Sequence, residues 1–431
     1  MTLSKTRRTR SAADPALPPD HGLWRLLAIV PTDLDALREK GVADQLLERD
    51  AGGLFGQVIT VHPRAARQRV VWLTAHHQVR EFSIRAFPGV EAVPLLRYVW
   101  DPIQLLWLAW TLARLVRRER IDLIRSQDPF WCGLLGWIAS RSNGCVPFCV
   151  SLHADYGKRH ELDGGRGAPT LFRSRRLTRW LESWVLSRAD RVLPIRVSLG
   201  DYARASGAPA QRLRVIPHGI DLSLFRGPLP VADPWSALDL PRERKILGFV
   251  GRLSRENYVD DLLETVRRLA PRRRDFVLVL MGGGTEEERL RRQVAADPLL
   301  RNHVILTGFQ PHVLAVALRR ISTVGLCLMG GFSLIEACAA GRPVIAYAVE
   351  WHRELVRNDA SGFLLPEGDV AGVAAAVERL LDDPELAHRL GTGARDLAWA
   401  AHDVDTARER LVAVYRELLG LADESSGPVD P

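Results

Sequence analysis

The sequence contains little lysine, methionine or cysteine. Its 431 residues include three methionines and, among 59 basic side chains, only four lysines (Lys5, Lys40, Lys158 and Lys245). The five cysteines are an odd number and form no CxxC pair. This pattern argues against a disulfide framework and against a CxxC metal site, and it predicts reduced, buried thiols in a cytoplasmic protein.

Long hydrophobic runs are also lacking. Residues 1–20 carry basic side chains without the apolar stretch of a signal peptide, so we expect a disordered tail there and another at 423–431. The most apolar stretch, Pro102–Val116, is shorter than the ~20 residues of a spanning helix and contains Gln104 and Arg114. No transmembrane segment is expected.

The remaining composition is that of a globular protein, with 47% hydrophobic and 26% charged residues. The length predicts two or three domains, each with a sizeable core. The positive charge is uneven, because residues 1–228 carry a net charge of +13 and residues 229–431 carry −5. Such asymmetry indicates an acidic partner or a membrane surface for the first half.

Short β-branched or leucine-rich runs alternate with amphipathic segments of helical length, which predicts an α/β fold with buried parallel strands. Strands are predicted at 26–30, 58–61, 70–74, 121–126, 147–152, 191–195 and 214–217, and again at 245–250, 276–281, 303–307, 323–328 and 343–347. We expect an N-terminal domain at 21–226, a Pro-rich linker at 227–241, a C-terminal domain at 242–400 and a terminal helix at 401–422.

The most informative segment is Cys327–Tyr347, which reads as strand, glycine turn, helix, glycine stop and strand. The main-chain amides of Phe332, Ser333 and Leu334 would be unpaired at a helix N-terminus, and such a terminus attracts phosphate. Glu336 lies one turn later among apolar neighbours. It predicts either a hydroxyl-rich ligand that satisfies the carboxylate or a carboxylate on the exposed edge of a packing helix.

Other predicted strands of this half also end in glycine turns, at Gly251, Gly282–Gly284 and Gly308. Arg252 follows the first of them, at the edge of the sheet where ligands of open α/β sheets bind. A fixed cation there suits a diphosphate. Together the turns favour a mononucleotide crevice.

With these segments in place, the sequence resembles the retaining glycosyltransferases of family 4, which have the GT-B fold. The likeness rests on the motifs at 250–256, 331–345, 354–366 and 215–221. It implies two Rossmann-like domains with parallel sheets facing a cleft, a nucleotide-diphosphate sugar on the second domain and an acceptor on the first. It implies no metal and no cofactor.

Carried over onto this sequence, the resemblance assigns the diphosphate to Arg252 and the nucleotide ribose to Glu336. Main-chain groups of Gly251 and of Gly331, Phe332, Ser333 and Leu334 would meet phosphate or sugar, and Gly308 with Phe309 would lie near the base. The catalytic candidates are His153, Arg252 and Glu336.

The sequence departs from the family pattern at two places. The usual lysine and glycine are replaced by Asn257 and Tyr258, and the carboxylate expected eight residues before Glu336 is replaced by Leu328. Either Arg255 or Lys40 supplies the missing charge in an active enzyme with an altered sugar pocket, or the chain is a degenerate scaffold that binds a nucleotide sugar or a protein partner. We favour the enzyme, because Arg252, Glu336 and the glycine turns remain.

The first half carries the acceptor-side candidates. His153, Asp155 and Tyr156 follow a predicted buried strand, and the family often has a histidine at this strand end. Lys40 and Gly41 are assigned by resemblance to a loop that faces the donor phosphates; the alternative is a solvated turn. The Asp-x-Asp triplets at 33–35 and 403–405 are interpreted as loop or helix-start residues rather than metal ligands.

Aromatic and basic side chains crowd part of this half, namely Tyr98, Trp100, Trp107, Trp110, Trp131 and Trp137, with Arg114, Arg117, Arg118 and Arg120, followed by an arginine-rich stretch at 158–191. They fit either peripheral contact with the inner face of a membrane that carries a lipid-linked acceptor, or core tryptophans beneath a solvated basic surface. No nucleic-acid-binding motif is present, so a nucleic-acid partner is not expected.

Overall fold

The computed structural model describes residues 22, 24–39, 43–83, 94–156 and 174–421, with the side chains of 43–45, 48 and 94–101 excepted. The predicted tails, Lys40, Gly41 and the basic residues at 158–173 lie outside this range. The chain forms two compact units. Unit 1 contains the described residues up to Ile216 and from Arg408 onward, and unit 2 contains Pro217–Ala407.

Unit 1 is built on a seven-stranded sheet in the order β3-β4-β2-β1-β5-β6-β7. Its strands are β1 (Trp24–Ile29), β2 (Phe55–His62), β3 (Arg69–Thr74), β4 (His77–Glu81), β5 (Leu123–Ser126), β6 (Phe148–Leu152) and β7 (Arg191–Pro194). Its helices are α1 (Leu34–Glu39), α2 (Pro94–Arg118), α3 (Trp131–Arg141), α4 (Arg175–Leu186) and α5 (Val197–Ala205). The predicted parallel pairing holds throughout except at β3, which pairs antiparallel with β4 at the edge of the sheet.

Unit 2 is built on a six-stranded, wholly parallel sheet in the order β10-β9-β8-β11-β12-β13. Its strands are β8 (Lys245–Val250), β9 (Phe276–Met281), β10 (Val304–Gly308), β11 (Val324–Leu326), β12 (Val344–Tyr347) and β13 (Gly362–Leu365). Its helices are α6 (Pro234–Ala237), α7 (Val259–Leu269), α8 (Glu287–Ala296), α9 (Pro298–His303), α10 (His312–Ile321), α11 (Phe332–Ala339), α12 (Val370–Asp382) and α13 (Pro384–His402).

The cores follow the hydrophobic pattern of the sequence. Every residue of β9 is buried, as expected of a central parallel strand covered on both faces. Helix α7 buries Leu262, Leu263 and Val266 at helical spacing against this sheet. These two α/β sheets are the scaffold of a GT-B fold, as predicted.

The predicted domain boundaries differ from the structure. The chain enters unit 2 at Pro217, ten residues before the expected linker at 227–241. The Pro-rich segment packs within unit 2, where Arg320 donates hydrogen bonds to the carbonyls of Gly227 (2.7 Å) and Pro228 (2.8 Å). The segment is thus part of unit 2, and its Pro234 begins helix α6.

The terminal helix also differs from the prediction of 401–422. Helix α13 runs through His402, and a separate helix α14 (Val404–Leu418) begins in unit 2 and continues into unit 1 from Arg408. Tyr415 of α14 is only 1% exposed and packs edge-to-face on Phe55. The last helix is therefore part of the unit 1 core.

Two local expectations, the strand at 214–217 and the burial of all five cysteines, differ from the structure. Residues 214–217 hydrogen-bond along β7, through Arg214 to Val192 and Ile216 to Pro194, without forming a strand. Four cysteines are buried as predicted, whereas Cys145 is exposed in a turn. Among the described helices, none is both long and apolar enough to cross a bilayer.

Candidate functional site

The glycine turns that follow β8, β9 and β10 interlock at one edge of the unit 2 sheet. Gly251 donates its amide to the carbonyl of Met281 (3.0 Å), and Gly282 donates to Gly308 (2.9 Å). Because all strands are parallel, these carboxyl ends meet as the sequence predicted. Strand order reverses between β8 and β11, which makes the gap between them the switch point where α/β sheets bind ligands.

Glycine is required where these turns cross. Gly282 has a φ of +139°, and a Cβ atom there would lie 2.0 Å from the carbonyl oxygen of Gly251. A Cβ atom at Gly284 would lie 2.2 Å from the carbonyl oxygen of Leu253. The backbones therefore approach more closely than any side chain permits.

Arg252 follows β8 with an exposed side chain, and no carboxylate of the described residues forms an ion pair with it. A hydrogen bond within the loop fixes the backbone of Arg252, because Asn257 Nδ2 donates to the Arg252 carbonyl at 2.7 Å. Tyr258 adopts a left-handed conformation with a φ of +55°, at the place where the family has glycine. Asn257 thus stabilises the loop that presents Arg252, whereas Tyr258 adopts a left-handed conformation that costs less for glycine.

Arg255, one of the two candidates for the missing charge, is not a free cation. Its Nε lies 3.5 Å from Glu286 Oε1, and Glu286 also pairs with Arg289. The Arg255 side chain is nevertheless 77% exposed, so this pair is weak.

Helix α11 begins at the switch point, directly after β11. Gly331 is its capping residue, and no side chain caps the amides of its first turn. The Leu334 amide, which we expected to be unpaired, donates to the Gly331 carbonyl at 3.1 Å, so the expectation was wrong for this residue. The preceding Gly330 is anchored by the fully buried His352, whose Nδ1 lies 2.9 Å from the carbonyl of Tyr347. Because a carbonyl only accepts, Nδ1 carries the proton. Nε2 lies 3.2 Å from the Gly330 amide nitrogen and 3.1 Å from its carbonyl oxygen, and in the neutral ring it accepts from the amide.

Glu336 lies one turn into α11 and is satisfied by two basic side chains of α10. Its Oε2 is 2.9 Å from Arg319 Nη2, and its Oε1 is 3.0 Å from His312 Nε2. The sequence left open a ligand or an exposed helix edge for this carboxylate, and the structure adds partners from the protein itself. With its side chain 19% exposed, Glu336 still presents free lone pairs to solvent.

Arg319 is the most unusual charge of this site. Only 8% of it is exposed, and burial lowers the pKa of its guanidinium against the opposing effect of Glu336. Its Nη1 has no hydrogen-bond partner among the described residues. The sequence analysis missed Arg319 and His352, although an arginine on the apolar face of α10 beside Ala315 and Val316 was a usable signal.

Two aromatic side chains are exposed at the same edge. Phe309 follows Gly308, which has a φ of +68°, and its side chain is 86% exposed. Phe332 is 47% exposed and packs edge-to-face on His218. Leu328, by contrast, is fully buried in the core, so position 328 does not present a side chain to this edge.

In unit 1, the acceptor-side candidates follow β6 as predicted. His153 and Asp155 are half-buried at the carboxyl end of the strand. Tyr156 packs edge-to-face on Phe130 with ring centroids 4.8 Å apart, and burial raises the pKa of its phenol well above the usual value. Asp128, which the sequence analysis missed, is buried after β5, accepts from the Phe130 amide at 2.7 Å, and has a pKa raised by burial.

The N-terminus of α1 is already occupied by carboxylates. Glu81 accepts from the Leu34 amide (2.8 Å) and Asp33 from the Ala36 amide (2.9 Å). Both aspartate triplets lie at helix starts, since Asp33 and Asp35 flank the first residue of α1 and residues 403–405 lie at the start of α14. No group of three or more His, Cys, Asp or Glu side chains suited to a metal forms among the described residues.

Comparison with known proteins decides the family. The model for glycosyl transferases group 1 matches residues 236–397, and the model for glycosyltransferase family 4 matches residues 52–224. A D-inositol 3-phosphate glycosyltransferase of Acidothermus cellulolyticus is 30% identical over 401 residues, which are 86% of either chain. The chain belongs to the family 4-type GT-B glycosyltransferases.

Other relatives of this glycosyltransferase cover almost the whole chain. An alpha-D-kanosaminyltransferase of Streptomyces kanamyceticus is 28% identical over 86% of this chain and 98% of its own. Among solved structures, Anabaena HepE in complex with UDP superposes with a TM-score of 0.65 at 17% identity, over 91% of this chain and 100% of its own. Sucrose-phosphate synthase from Thermosynechococcus elongatus gives 0.62 at 21% identity, over 92% and 100%. These structures support the GT-B fold.

Proposed function

We propose that this glycosyltransferase transfers a sugar from a nucleotide-diphosphate sugar to an acceptor with retention of anomeric configuration. One observation carries the proposal: two groups that attract phosphate flank the switch point of unit 2. Arg252, exposed and without an ion pair among the described residues, follows β8, and the first turn of α11, which no side chain caps, follows β11. The solved relative HepE carries UDP, which is the class of ligand we propose here.

The diphosphate would be held by Arg252 and by the amides of Phe332 and Ser333, the first two of α11. A guanidinium forms charge-assisted hydrogen bonds with phosphate oxygens, and helix N-terminal amides add a fixed positive potential. Negative charge grows on the diphosphate as the bond to the sugar breaks. Donors that are already oriented lower the barrier, because they need no reorganisation at that moment.

The nucleoside would lie between Phe309 and Glu336. An exposed aromatic ring offers a face for base stacking, and a carboxylate accepts hydrogen bonds from ribose hydroxyls. Arg319 contacts the Glu336 carboxylate at 2.9 Å and fixes its orientation, so that the remaining acceptor lone pairs point in one direction. In this role Arg319 is a positioning residue.

Retention and the absence of a metal requirement follow from the resemblance to family 4, and both stay proposals. The relatives are named for different substrates, kanosamine in one and inositol phosphate in another, so no acceptor is carried over. We propose His153 and Asp155 as acceptor-side residues, because they end a strand of unit 1 at its ligand-binding edge.

Donor hydrolysis and transfer with UDP-, GDP- and ADP-sugars test the proposal. We expect turnover with at least one donor, its loss in Arg252→Ala, and unchanged turnover in Arg292→Ala, a control arginine on α8 that is 75% exposed. Nucleotide binding without turnover would instead support the scaffold alternative. A product of inverted configuration by NMR would contradict retention, and loss of activity with EDTA would contradict a metal-independent reaction.

A further inference from the structure

Helix α2 of unit 1 exposes a stripe of large apolar side chains. Ile103, Leu106, Trp107 and Trp110 are 48%, 67%, 44% and 56% exposed, respectively. Their spacing of three, four and seven residues places them on one face of the helix. We call these four residues the α2 stripe.

The α2 stripe is not needed for the core of unit 1. The opposite face of the same helix already packs into that core through Leu108, Leu112 and Leu115, all nearly or fully buried. A surface helix usually carries polar residues on its outer face, and α2 carries apolar ones on both. Contiguous exposed apolar surface of this kind marks an interaction site.

Positive charge adjoins the stripe. Arg114, Arg117, Arg118 and Arg120 are exposed at the C-terminal end of α2. The Arg114 guanidinium lies 4.5 Å from the centre of the Trp110 ring, which keeps cation and aromatic together. The one acidic side chain among them, Glu119, is neutralised by Arg80 at 2.9 Å.

We propose that the α2 stripe inserts into the interface of an anionic phospholipid bilayer, with the helix lying parallel to the membrane plane. Tryptophan and leucine beside exposed arginines are the composition of helices that lie in the interface of anionic membranes. From Ile103 to Trp110 the stripe extends only about 10 Å along the helix, so it suits shallow insertion. A second copy of the chain would bring two basic surfaces together, which charge repulsion disfavours.

Flotation of the full chain with phosphatidylcholine vesicles, with and without phosphatidylglycerol, tests this proposal. We expect flotation with the anionic vesicles only, weakened by salt. The double substitution Leu106→Glu, Trp110→Ala should lower vesicle partitioning by about tenfold or more, because it removes inserted apolar area and adds a buried charge. Trp72→Ala is the matched control, since Trp72 is 57% exposed but belongs to β3 and not to the α2 stripe.

A second variant keeps the test independent of folding. Arg117→Glu, Arg118→Glu alters only exposed charges and should also reduce flotation with anionic vesicles. Equal flotation of both variants and wild type would overturn the proposal, as would absence of wild-type binding. Concentration-dependent dimerisation that the Leu106→Glu, Trp110→Ala variant abolishes would assign the stripe to a second copy and would overturn it as well.

Discussion

The ion pair between Arg319 and Glu336 makes the sharpest stability prediction. Arg319 is 8% exposed and its guanidinium lies 2.9 Å from the carboxylate, so each partner depends on the other for compensation. Removing one partner of a buried pair costs about 3–5 kcal/mol, because the remaining charge stays buried and unpaired. We expect about 3 kcal/mol for Arg319→Met and, since Glu336 is 19% exposed, about 2–3 kcal/mol for Glu336→Gln.

The double variant Arg319→Met, Glu336→Gln should be destabilised no more than either single variant. Replacing a whole buried pair by neutral groups of similar volume is often close to neutral. The coupling energy of the cycle should therefore be about 2–3 kcal/mol, and the single variants should lower the melting temperature of unit 2 by roughly 10 °C.

Urea and thermal denaturation of the four proteins, followed by circular dichroism, give the cycle. The reasoning is refuted if the two single effects add to within about 0.5 kcal/mol in the double variant, since independent sites behave in this way. His312→Gln is the control. His312 contacts the same carboxylate at 3.0 Å but is 53% exposed, so its loss should cost less than about 1 kcal/mol.

Three further predictions concern pH, glycine and the Arg252 loop. His62 and His77 are buried, and their pKa values are lowered to about 4, so below pH 6.5 the unfolded chain binds protons that the folded chain excludes. The free energy of unfolding should therefore fall by about 3 kcal/mol per histidine as the pH drops from about 6.5 to 4. Urea denaturation at several pH values should show a smaller fall in His62→Leu than in wild type. Gly282→Ala should destabilise the protein by more than about 2 kcal/mol in denaturation, because Cβ meets a carbonyl at 2.0 Å, whereas Gly331→Ala, with open space around it, should melt like wild type. Asn257→Ala should weaken nucleotide binding by about fivefold in calorimetry through the lost loop hydrogen bond, and unchanged affinity would show that the loop needs no such anchor.

The alternation of apolar and helical segments was enough to predict most of the sheets. Strands such as β9 are wholly apolar and short, so their pattern indicates burial on both faces. Strand β4, with the sequence His-Gln-Val-Arg-Glu, was not predicted, because its residues are polar although most of them are buried. Hydrogen bonds to segments distant in sequence satisfy these polar groups, as between His77 and Thr60 at 2.8 Å. Local pattern carries no information on such partners.

Residues of the candidate site likewise fall into those with a local sequence signature and those whose role depends on tertiary contacts. Glycine turns and a helix start have local signatures, so Gly251, Arg252 and the amides after Gly331 were predictable from sequence. Arg319 and His352 act through tertiary contacts with residues 17 and 22 positions away along the chain. Their roles depend on the tertiary placement of α10 and of the short helical turn at His352–Glu354 beside the start of α11.

The charge asymmetry of the sequence also gains a structural meaning. In the function we propose, unit 2 binds a diphosphate without a net positive charge, so recognition there would depend on Arg252 and on helix-terminal amides. Part of the excess of positive charge in unit 1 lies beside the α2 stripe. In our proposals, this positive charge faces an anionic membrane and not the sugar donor.

Calorimetric titration of UDP, GDP and ADP into wild type, Arg252→Met and the control Arg292→Met tests the central claim most directly. The account predicts micromolar binding of at least one nucleotide, an affinity reduced by about 10- to 100-fold in Arg252→Met through loss of a charge-assisted contact to the diphosphate, and wild-type affinity in Arg292→Met. Equal affinity in wild type and Arg252→Met would contradict it, because the diphosphate would then lie elsewhere than at the switch point of unit 2.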